Sequence, residues 1–218
     1  AVRGGQASTL ASNAPGGVIN LISRDGSTQG GSIAATVGLD YRESRLDFQY
    51  GASLTDSTRF HLGGFRRKGE GSRNAGYDGN DGYQIKANLT HEFAGGHVRA
   101  YFKRLDDRAI AYMPMPVQVT GSNSSPRFAS LPGFDIGTDT VHSALLRKDT
   151  GLDGNNMPRV TDIRDGMHPV VTAVGLEIAV EVAEGIRLEE RLRDLATHGR
   201  VVSPFPAQVA GIGEMGDS

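Results

Sequence analysis

The chain has 218 residues with 23 basic and 25 acidic side chains, so its net charge of −2 gives no reason to expect a nucleic-acid partner. It contains no cysteine, which excludes disulfide frameworks, cysteine-ligated zinc and a thiol nucleophile. Thirty glycines are many for a globular chain, and a hydrophobic fraction of 38% is small for a thick core. The length allows one large all-β domain or two small domains.

The first distinctive element is the segment RGGQASTLASNAPGGVINLISR, which runs from Arg3 to Arg24. The residues between these two arginines are uncharged, but glycines, polar side chains and a Pro-Gly-Gly break exclude a membrane-spanning helix. Pro15 fixes its own φ, and the two glycines after it allow a tight turn. The run VINLI at residues 18–22 then predicts a buried strand.

Downstream, apolar residues alternate with small or polar ones at period two, which is typical of strands with two unlike faces. Residues 83–93 are the clearest case, because tyrosine, isoleucine, leucine and phenylalanine occupy odd positions and polar residues occupy even ones. The predicted strands are residues 32–41, 45–54, 59–66, 83–93, 97–105, 169–182 and 186–195.

Two of these segments carry a further expectation. Gly63 and Gly64 predict a β-bulge within residues 59–66, since adjacent glycines interrupt the alternation there. Residues 186–195 also fit a helix, because leucines recur at i, i+4 and i+7. We interpret this last segment as a strand and keep the helix as the alternative.

The connections between the strands are of two kinds. Residues 55–57, 94–96 and 183–185 are short enough for hairpin turns. Residues 67–82 form a longer polar loop, and residues 106–168 form a very long one. Short and long connections alternate in this way when tight turns lie at one end of a membrane barrel and long loops lie at the other.

Against this background, the segment at residues 3–24 resembles the late plug motif of TonB-dependent outer-membrane receptors. In that family an Arg-Gly turn precedes a Pro-Gly-Gly-(Val/Ile)-Ile-Asn strand, just before the first barrel strand. Weaker resemblances cover most of the chain: residues 51–54 and 58–62 look like the second and third barrel strands, residues 104–108 and 112–114 look like a barrel rim, and residues 165–169 look like re-entry to the barrel.

The resemblance implies an all-β fold, a partial antiparallel transmembrane β-barrel of about seven strands preceded by the last plug strand. Residues 1–29 are then the end of the plug domain. Residues 30–218 are the first part of the barrel, with an external loop at about 106–168. Family barrels have roughly 22 strands, so we interpret the chain as a fragment whose TonB-binding segment and closing strands lie outside it.

The same resemblance implies a function and a set of partners. The parent protein is expected in the bacterial outer membrane, surrounded by lipid and importing a scarce nutrient such as a ferric siderophore with energy supplied through TonB. No catalysis, cofactor or nucleic acid is expected. Plug–barrel contacts are expected from Asn13, Asn20 and Arg24. The side chains expected to face the lumen, where they bind the missing plug or one another, are Asp40, Arg45, Asp47, Lys86, Glu92, Arg99 and Lys103.

Other candidate sites are weaker. The loops that begin at Asp78 and Asp149 are rich in Asp, Asn and Gly, but neither has the spacing of an EF-hand, so we interpret them as turns. No paired histidines, nucleophile elbow or phosphate loop is present in the sequence. Aromatic residues in or near the long loop fit either ligand contacts at the mouth or interface anchors, namely Tyr101, Tyr112, Phe128 and Phe134.

A soluble β-sandwich, for example a carbohydrate-binding module, is the main alternative. It also has amphipathic strands and hairpins. The two hypotheses differ in what covers the apolar face of residues 32–41 and 83–93. A sandwich requires a second sheet packed on that face, whereas a barrel requires a continuous outward apolar band.

Overall fold

A computed structural model describes residues 22–205 of the chain. Within this range the fold is all-β, with no α-helix and one short 3₁₀ helix at Ile163–Asp165. The main sheet has seven strands, as predicted. Their bounds are β1 (Gly30–Val37), β2 (Glu43–Ser53), β3 (Thr58–Gly69), β4 (Asn80–Phe93), β5 (Gly96–Arg108), β10 (Met167–Ala183) and β11 (Ile186–Val201).

The sheet is an antiparallel meander with the order β1-β2-β3-β4-β5-β10-β11. Each strand therefore pairs with its neighbour in sequence, except that β5 pairs with β10 across the long connection. Within residues 22–205 the sheet is open, because β1 and β11 are its two edges and do not pair with each other. The all-β fold and the antiparallel pairing are confirmed.

The strand predictions need three corrections. β1 ends at Val37, so Asp40 lies in the link to β2 and not on a strand face. Gly63 and Gly64 form no bulge: the pairing of β3 with both neighbours is continuous there, and a Cβ on Gly64 would collide with the Gln84 carbonyl oxygen. Gly64 thus allows close approach of two backbones. The irregularity in the sheet lies instead between Glu181 and Ala183.

The segment with two interpretations is a strand. β11 pairs with β10 along nearly its whole length and continues to Val201, beyond the predicted end. Because this segment is a strand, most apolar residues of 186–193 lie on one face and most charged residues lie on the other. A helix there would leave β10 as an unpaired edge. The helical alternative is therefore wrong.

Short and long connections lie at opposite ends of the sheet. The tight turns after β2, β4 and β10 meet at one end, and the long connections at residues 70–79 and 109–166 meet at the other. The longer of these contains two small hairpins that the sequence did not predict. They are formed by β6 (Gln118–Ser122) with β7 (Ser125–Ala129), and by β8 (Lys148–Leu152) with β9 (Pro158–Asp162).

One face of the main sheet is apolar and exposed. The exposed fraction is 78% for Ile33, 46% for Leu89 and 46% for Val174, values far above those of core residues. Within residues 22–205 no second sheet covers this face, which is the covering that a β-sandwich requires. β11 is the exception, because Glu190 and Asp194 lie among its apolar residues, and charge on an edge strand opposes edge-to-edge aggregation.

The buried core is small and lies at the long-loop end. Ala75, Tyr77, Ile110 and Ile163 form its centre, so it joins the loop after β3 to both ends of the long connection. The partly buried Tyr112 packs against it. The core therefore orders the loops and contributes little to the sheet itself.

Candidate functional site

The face opposite the apolar one, here called the polar face, carries most of the charged residues predicted to face a lumen. Strand register places six of the seven on this one face: Arg45, Asp47, Lys86, Glu92, Arg99 and Lys103. Asp40 is not among them because it lies in the β1–β2 link. Several of the six pair with one another or with neighbouring side chains.

A row of side chains, here called the charged row, crosses five neighbouring strands on the polar face near the tight turns. Each member lies directly opposite the next in the strand register, in the order Arg59, Thr90, Arg99, Glu177 and Arg191. Opposite charges on facing positions stabilise a sheet, as in the pairs that Glu177 makes with Arg99 and Arg191. Thr90, the second member of the row, is fully buried and accepts a hydrogen bond from Arg99 Nε at 2.9 Å.

Glu177 joins two arginines of the row and a neighbouring histidine. Its carboxylate oxygens lie 3.7 Å from Arg99 Nη1, 3.2 Å from Arg191 Nε and 3.1 Å from His97 Nε2. Since His97 and Arg99 are on β5 and Arg191 is on β11, the single carboxylate bridges both partners of β10. This arrangement fixes the register of three strands at one end of the sheet.

The chain segment at residues 22–28, here called the leading segment, lies on the charged row. Asp25 Oδ2 accepts hydrogen bonds from Arg59 Nη2 at 3.2 Å and from Arg99 Nη2 at 3.1 Å. Asn88 Nδ2 donates to the Arg24 carbonyl oxygen at 2.7 Å. The leading segment is thus bound to β3, β4 and β5 before the chain enters β1.

Gly26 shows how closely the leading segment approaches the sheet. It is buried, has φ of +84°, and a Cβ at its position would collide with the Phe60 carbonyl oxygen. Only glycine combines a positive φ with such close contact to neighbouring backbone. The sequence Asp25-Gly26 therefore supplies both the charge and the space that the contact needs.

The electrostatics of Asp25 favour its ionised form. Burial alone would raise the pKa of this carboxyl, but hydrogen bonds from Ser27 and Arg59 and the Arg59 charge outweigh it and lower the pKa to about 2. Ser27 contributes through its backbone N–H, which donates to Asp25 Oδ1 at 3.1 Å. Asp25 is therefore a charged anchor at any physiological pH.

A second ionic group lies on the polar face near the long loops. Arg67 makes a two-pronged contact with Asp107, with both N–O distances at 2.8 Å. Arg45 pairs with Asp47 at 2.7 Å and stacks over the Phe65 ring at 4.1 Å. Bidentate arginine–carboxylate pairs have fixed geometry, so this group positions β2, β3 and β5 at the other end of the face.

The predicted plug–barrel anchors are only partly described. Asn13 and Asn20 lie outside the described residues, as does nearly all of the strand predicted at residues 18–22. Arg24 does contact the sheet, but through its backbone carbonyl. The residues that sequence reasoning missed are Asp25 and Glu177. Asp25 was missed because it lies one residue after the motif at residues 3–24.

The loop aromatics take different positions. Tyr112 packs edge-on against the buried His142 ring, with 5.6 Å between centroids. Phe128 is 68% exposed in the β6–β7 hairpin. Tyr101 lies on the polar face, where its ring covers Gly175. Burial raises the pKa of Tyr77 in the loop core to about 12, so this phenol is neutral.

Of the two loops rich in Asp, Asn and Gly, the one at Asp78 is an irregular connection, and the other places Asp149 on β8 and makes its turn at residues 153–156. Asp78 lies 3.3 Å from Arg42 and 3.5 Å from Lys68. Asp153 Oδ1 accepts backbone hydrogen bonds at 2.8 Å and 3.0 Å within its own loop. No group of three or more histidine or acidic side chains able to hold a metal ion occurs within residues 22–205.

No protein-family model, no curated protein and no solved structure matches the chain. In the part of the chain that the structure describes, no helix is both long and apolar enough to cross a membrane. The assignment of a function therefore depends on the sequence motif and on the geometry of the sheet, its two faces and the leading segment.

Proposed function

We propose that the chain is part of a TonB-dependent outer-membrane receptor and comprises the end of the plug and the first strands of the barrel. The observation that carries this proposal is a single sheet with an exposed apolar face and an ionic polar face that binds the segment preceding β1. A barrel wall needs these three features together: a lipid-facing side, a lumen-facing side and a plug joined to it.

The height of the apolar face supports a position in a bilayer. On β4 this face runs from Ile85 through Leu89 to Phe93, with His91 as its polar position, hydrogen-bonded to Thr58 at 2.9 Å. At about 3.4 Å per residue these eight steps span roughly 27 Å along the strand, which is roughly 21 Å of height at a tilt of about 40°. An outer-membrane barrel has an apolar band about 25 Å tall.

Charged residues at one end of the apolar face indicate where the bilayer ends. Near the long loops the same face carries Arg66, Asp81 and Arg108, which form ion pairs at 2.5 Å and 3.1 Å. Charged residues are costly in hydrocarbon and are stable in water. In this proposal the long loops face the outside of the cell, and the tight turns face the periplasm.

The open edges of the sheet require further strands in the parent protein. Unpaired backbone groups at a sheet edge are not tolerated within a bilayer. In the intact receptor, β1 and β11 would therefore pair with further strands of the barrel. In the proposed receptor, TonB would contact the plug.

The parent receptor would bind a scarce nutrient at its external face, and a ferric siderophore fits this class best. No covalent step is needed, so the proposed role is binding and transport and not catalysis. To test this, the coding sequence is deleted in the organism that carries it, and growth is measured with single ferric siderophores as the iron source. Loss of growth on one siderophore is expected, and unchanged growth on a broad panel would contradict the assignment.

A further inference from the structure

We propose that Glu177 is a positioning residue for the contact between the leading segment and the sheet, although its own ion pairs are all with strands of the sheet. It acts through Arg99, which binds both Asp25 and Glu177, so that the leading segment and β10 stabilise each other. The inference does not depend on the membrane proposal, because these contacts are the same whether or not the sheet lies in a bilayer.

The guanidinium of Arg99 binds three different elements of the fold, one through each of its nitrogens. Nε donates to Thr90 on β4 at 2.9 Å, Nη2 donates to Asp25 of the leading segment at 3.1 Å, and Nη1 forms an ion pair with Glu177 on β10 at 3.7 Å. Because the two carboxylates use different nitrogens, they do not compete for the same N–H groups. Both contacts therefore exist at the same time.

Additional cations reduce the repulsion between the two carboxylates that share Arg99. Asp25 has a second cation in Arg59 at 3.2 Å, and Glu177 has a second cation in Arg191 at 3.2 Å. Mutual repulsion is the effect that would make the two contacts oppose each other, and each extra arginine offsets it. The arrangement therefore favours contacts that support each other.

The physical source of this support is the ordering of one side chain. An arginine loses much rotamer freedom when it is held in one geometry, and this loss occurs once, however many partners the guanidinium has. The side chains of Arg99 and Glu177 are only 24% and 20% exposed, so water screens their pairing weakly. Glu177 thus holds the guanidinium where it binds Asp25. Glu92, which pairs with Arg59, is 51% exposed and is expected to contribute less.

The strand β10 benefits from the same contact because no tight turn fixes its pairing with β5. The two strands are joined by residues 109–166, the longest connection in the part of the chain that the structure describes. A connection of this length leaves the register free, so contacts between the strands select it. The ion pairs of Glu177 with Arg99 and His97 are such contacts. When Asp25 holds Arg99 in place, it also favours the observed register.

A coupling of this kind is reciprocal, because a free energy that two contacts share is lost from both when either is removed. Loss of the Glu177 charge should loosen the leading segment, and loss of the Asp25 charge should loosen β10. Glu189 provides a matched control on β11. It lies 3.5 Å from Arg191 and, among the described residues, forms no ion pair with Arg99.

The test is hydrogen exchange of the full chain in an uncharged detergent, corrected for intrinsic rates. Exchange of residues 22–28 is expected to rise at least about threefold in Glu177→Gln, since residues in one ionic network are coupled, and to stay unchanged in Glu189→Gln. In an Asp25→Asn background, Glu177→Gln should change this exchange by less than about twofold. In Asp25→Asn alone, exchange of residues 175–179 on β10 should rise.

The proposal is overturned if exchange of residues 22–28 stays unchanged in Glu177→Gln. It is also overturned if Glu189→Gln raises this exchange equally, which would indicate a general effect of charge at this end of the sheet. An effect of Glu177→Gln that persists in full in the Asp25→Asn background would contradict it as well, because the coupling would then bypass the shared arginine.

Two further readings separate the coupling from a loss of the whole fold. Unchanged exchange of residues 175–179 in Asp25→Asn would contradict the reciprocity that the proposal requires. In Glu177→Gln, a rise of equal factor at residues 44–48 of β2, which lie nearer the long loops, would assign the effect to global unfolding and overturn the proposal. None of these results bears on whether the sheet enters a bilayer.

Discussion

At the scale of single residues, Asp25 connects the leading segment to the sheet through two arginines. Asp25→Asn removes the charge but keeps the shape, so Arg59 and Arg99 lose a shared partner in a half-buried position. We expect a loss of about 1–2 kcal/mol, between the values for exposed and buried ion pairs. Faster hydrogen exchange of residues 22–28, corrected for intrinsic rates, would report release of the leading segment. Asp162→Asn, which removes only a local pair with Arg164, should leave that exchange rate unchanged.

The stabilisation that Asp25 contributes to the contact of the leading segment also depends on pH. Its pKa in the fold, about 2, is below the ordinary value of 3.8, so the folded state favours the ionised carboxyl. The stabilisation is therefore complete above about pH 4 and is lost as the pH falls toward about 2. Hydrogen exchange of residues 22–28, corrected for intrinsic rates, should rise over this interval. Asp25→Asn should show no such rise, and a rise of equal size in that variant would assign it to another group.

His142 gives the loops a different pH dependence. Burial lowers the pKa of this ring below its ordinary value, so its folded form is neutral. Opened loops bind the proton more readily, and the free energy of loop opening therefore falls as the pH drops below about 6.5. We expect hydrogen exchange in residues 109–144, corrected for intrinsic rates, to be faster at about pH 5.5 than at about pH 7.5.

Two variants identify the group responsible for this loop opening. His142→Phe keeps a ring packed on Tyr112 and should abolish the difference between the two pH values. His198→Gln changes an exposed histidine on β11 and should preserve it. A pH difference that persists in His142→Phe would contradict the role of this ring.

At the scale of the elements, the contact between the leading segment and β3 depends on Gly26. Gly26→Ala places a Cβ where the Phe60 carbonyl lies, on a residue that must keep a positive φ, so the leading segment should detach. Gly30→Ala is the control, because Gly30 has φ of +109° but open space around it. We expect tryptic cleavage after Arg24 to accelerate at least about fivefold in Gly26→Ala. An equal acceleration in both variants would assign the effect to backbone strain, which costs about 1–3 kcal/mol.

The sequence predicts some elements better than others for physical reasons. β4 and β10 were recognisable because their two faces differ strongly in polarity over many residues. Their hairpin partners followed from short turns that fix register. The pairing of β5 with β10 could not be predicted, since the long connection between them leaves the register free, and so the bridging role of Glu177 was hidden. The small hairpins β6–β7 and β8–β9 are too short and too exposed to show alternation.

The sequence also predicted the candidate site only in part. Six polar-face residues were identified because alternation alone assigns a side chain to a face. The contacts among them depend on facing positions on neighbouring strands, which alternation does not give. The bulge predicted at Gly63 and Gly64 was wrong because glycine pairs serve close backbone approach as well as bulges, and sequence does not distinguish the two uses.

At the scale of the whole molecule, the central claim is that the apolar face meets lipid and the polar face does not. The chain contains no tryptophan, so a single introduced one reports its own surroundings. Tyr101 and Phe102 are adjacent aromatic residues of β5 that point to opposite faces. Phe102→Trp and Tyr101→Trp are therefore a matched pair of reporters on one strand.

The most direct measurement is the quenching by brominated lipids that each of these tryptophans adds to the parent receptor, whose further strands would pair β1 and β11, after reconstitution into vesicles. The account predicts strong quenching in Phe102→Trp and weak quenching in Tyr101→Trp, with β-sheet circular dichroism in both. Weak quenching of both tryptophans, in a chain that also folds cooperatively as a monomer in water, would contradict it.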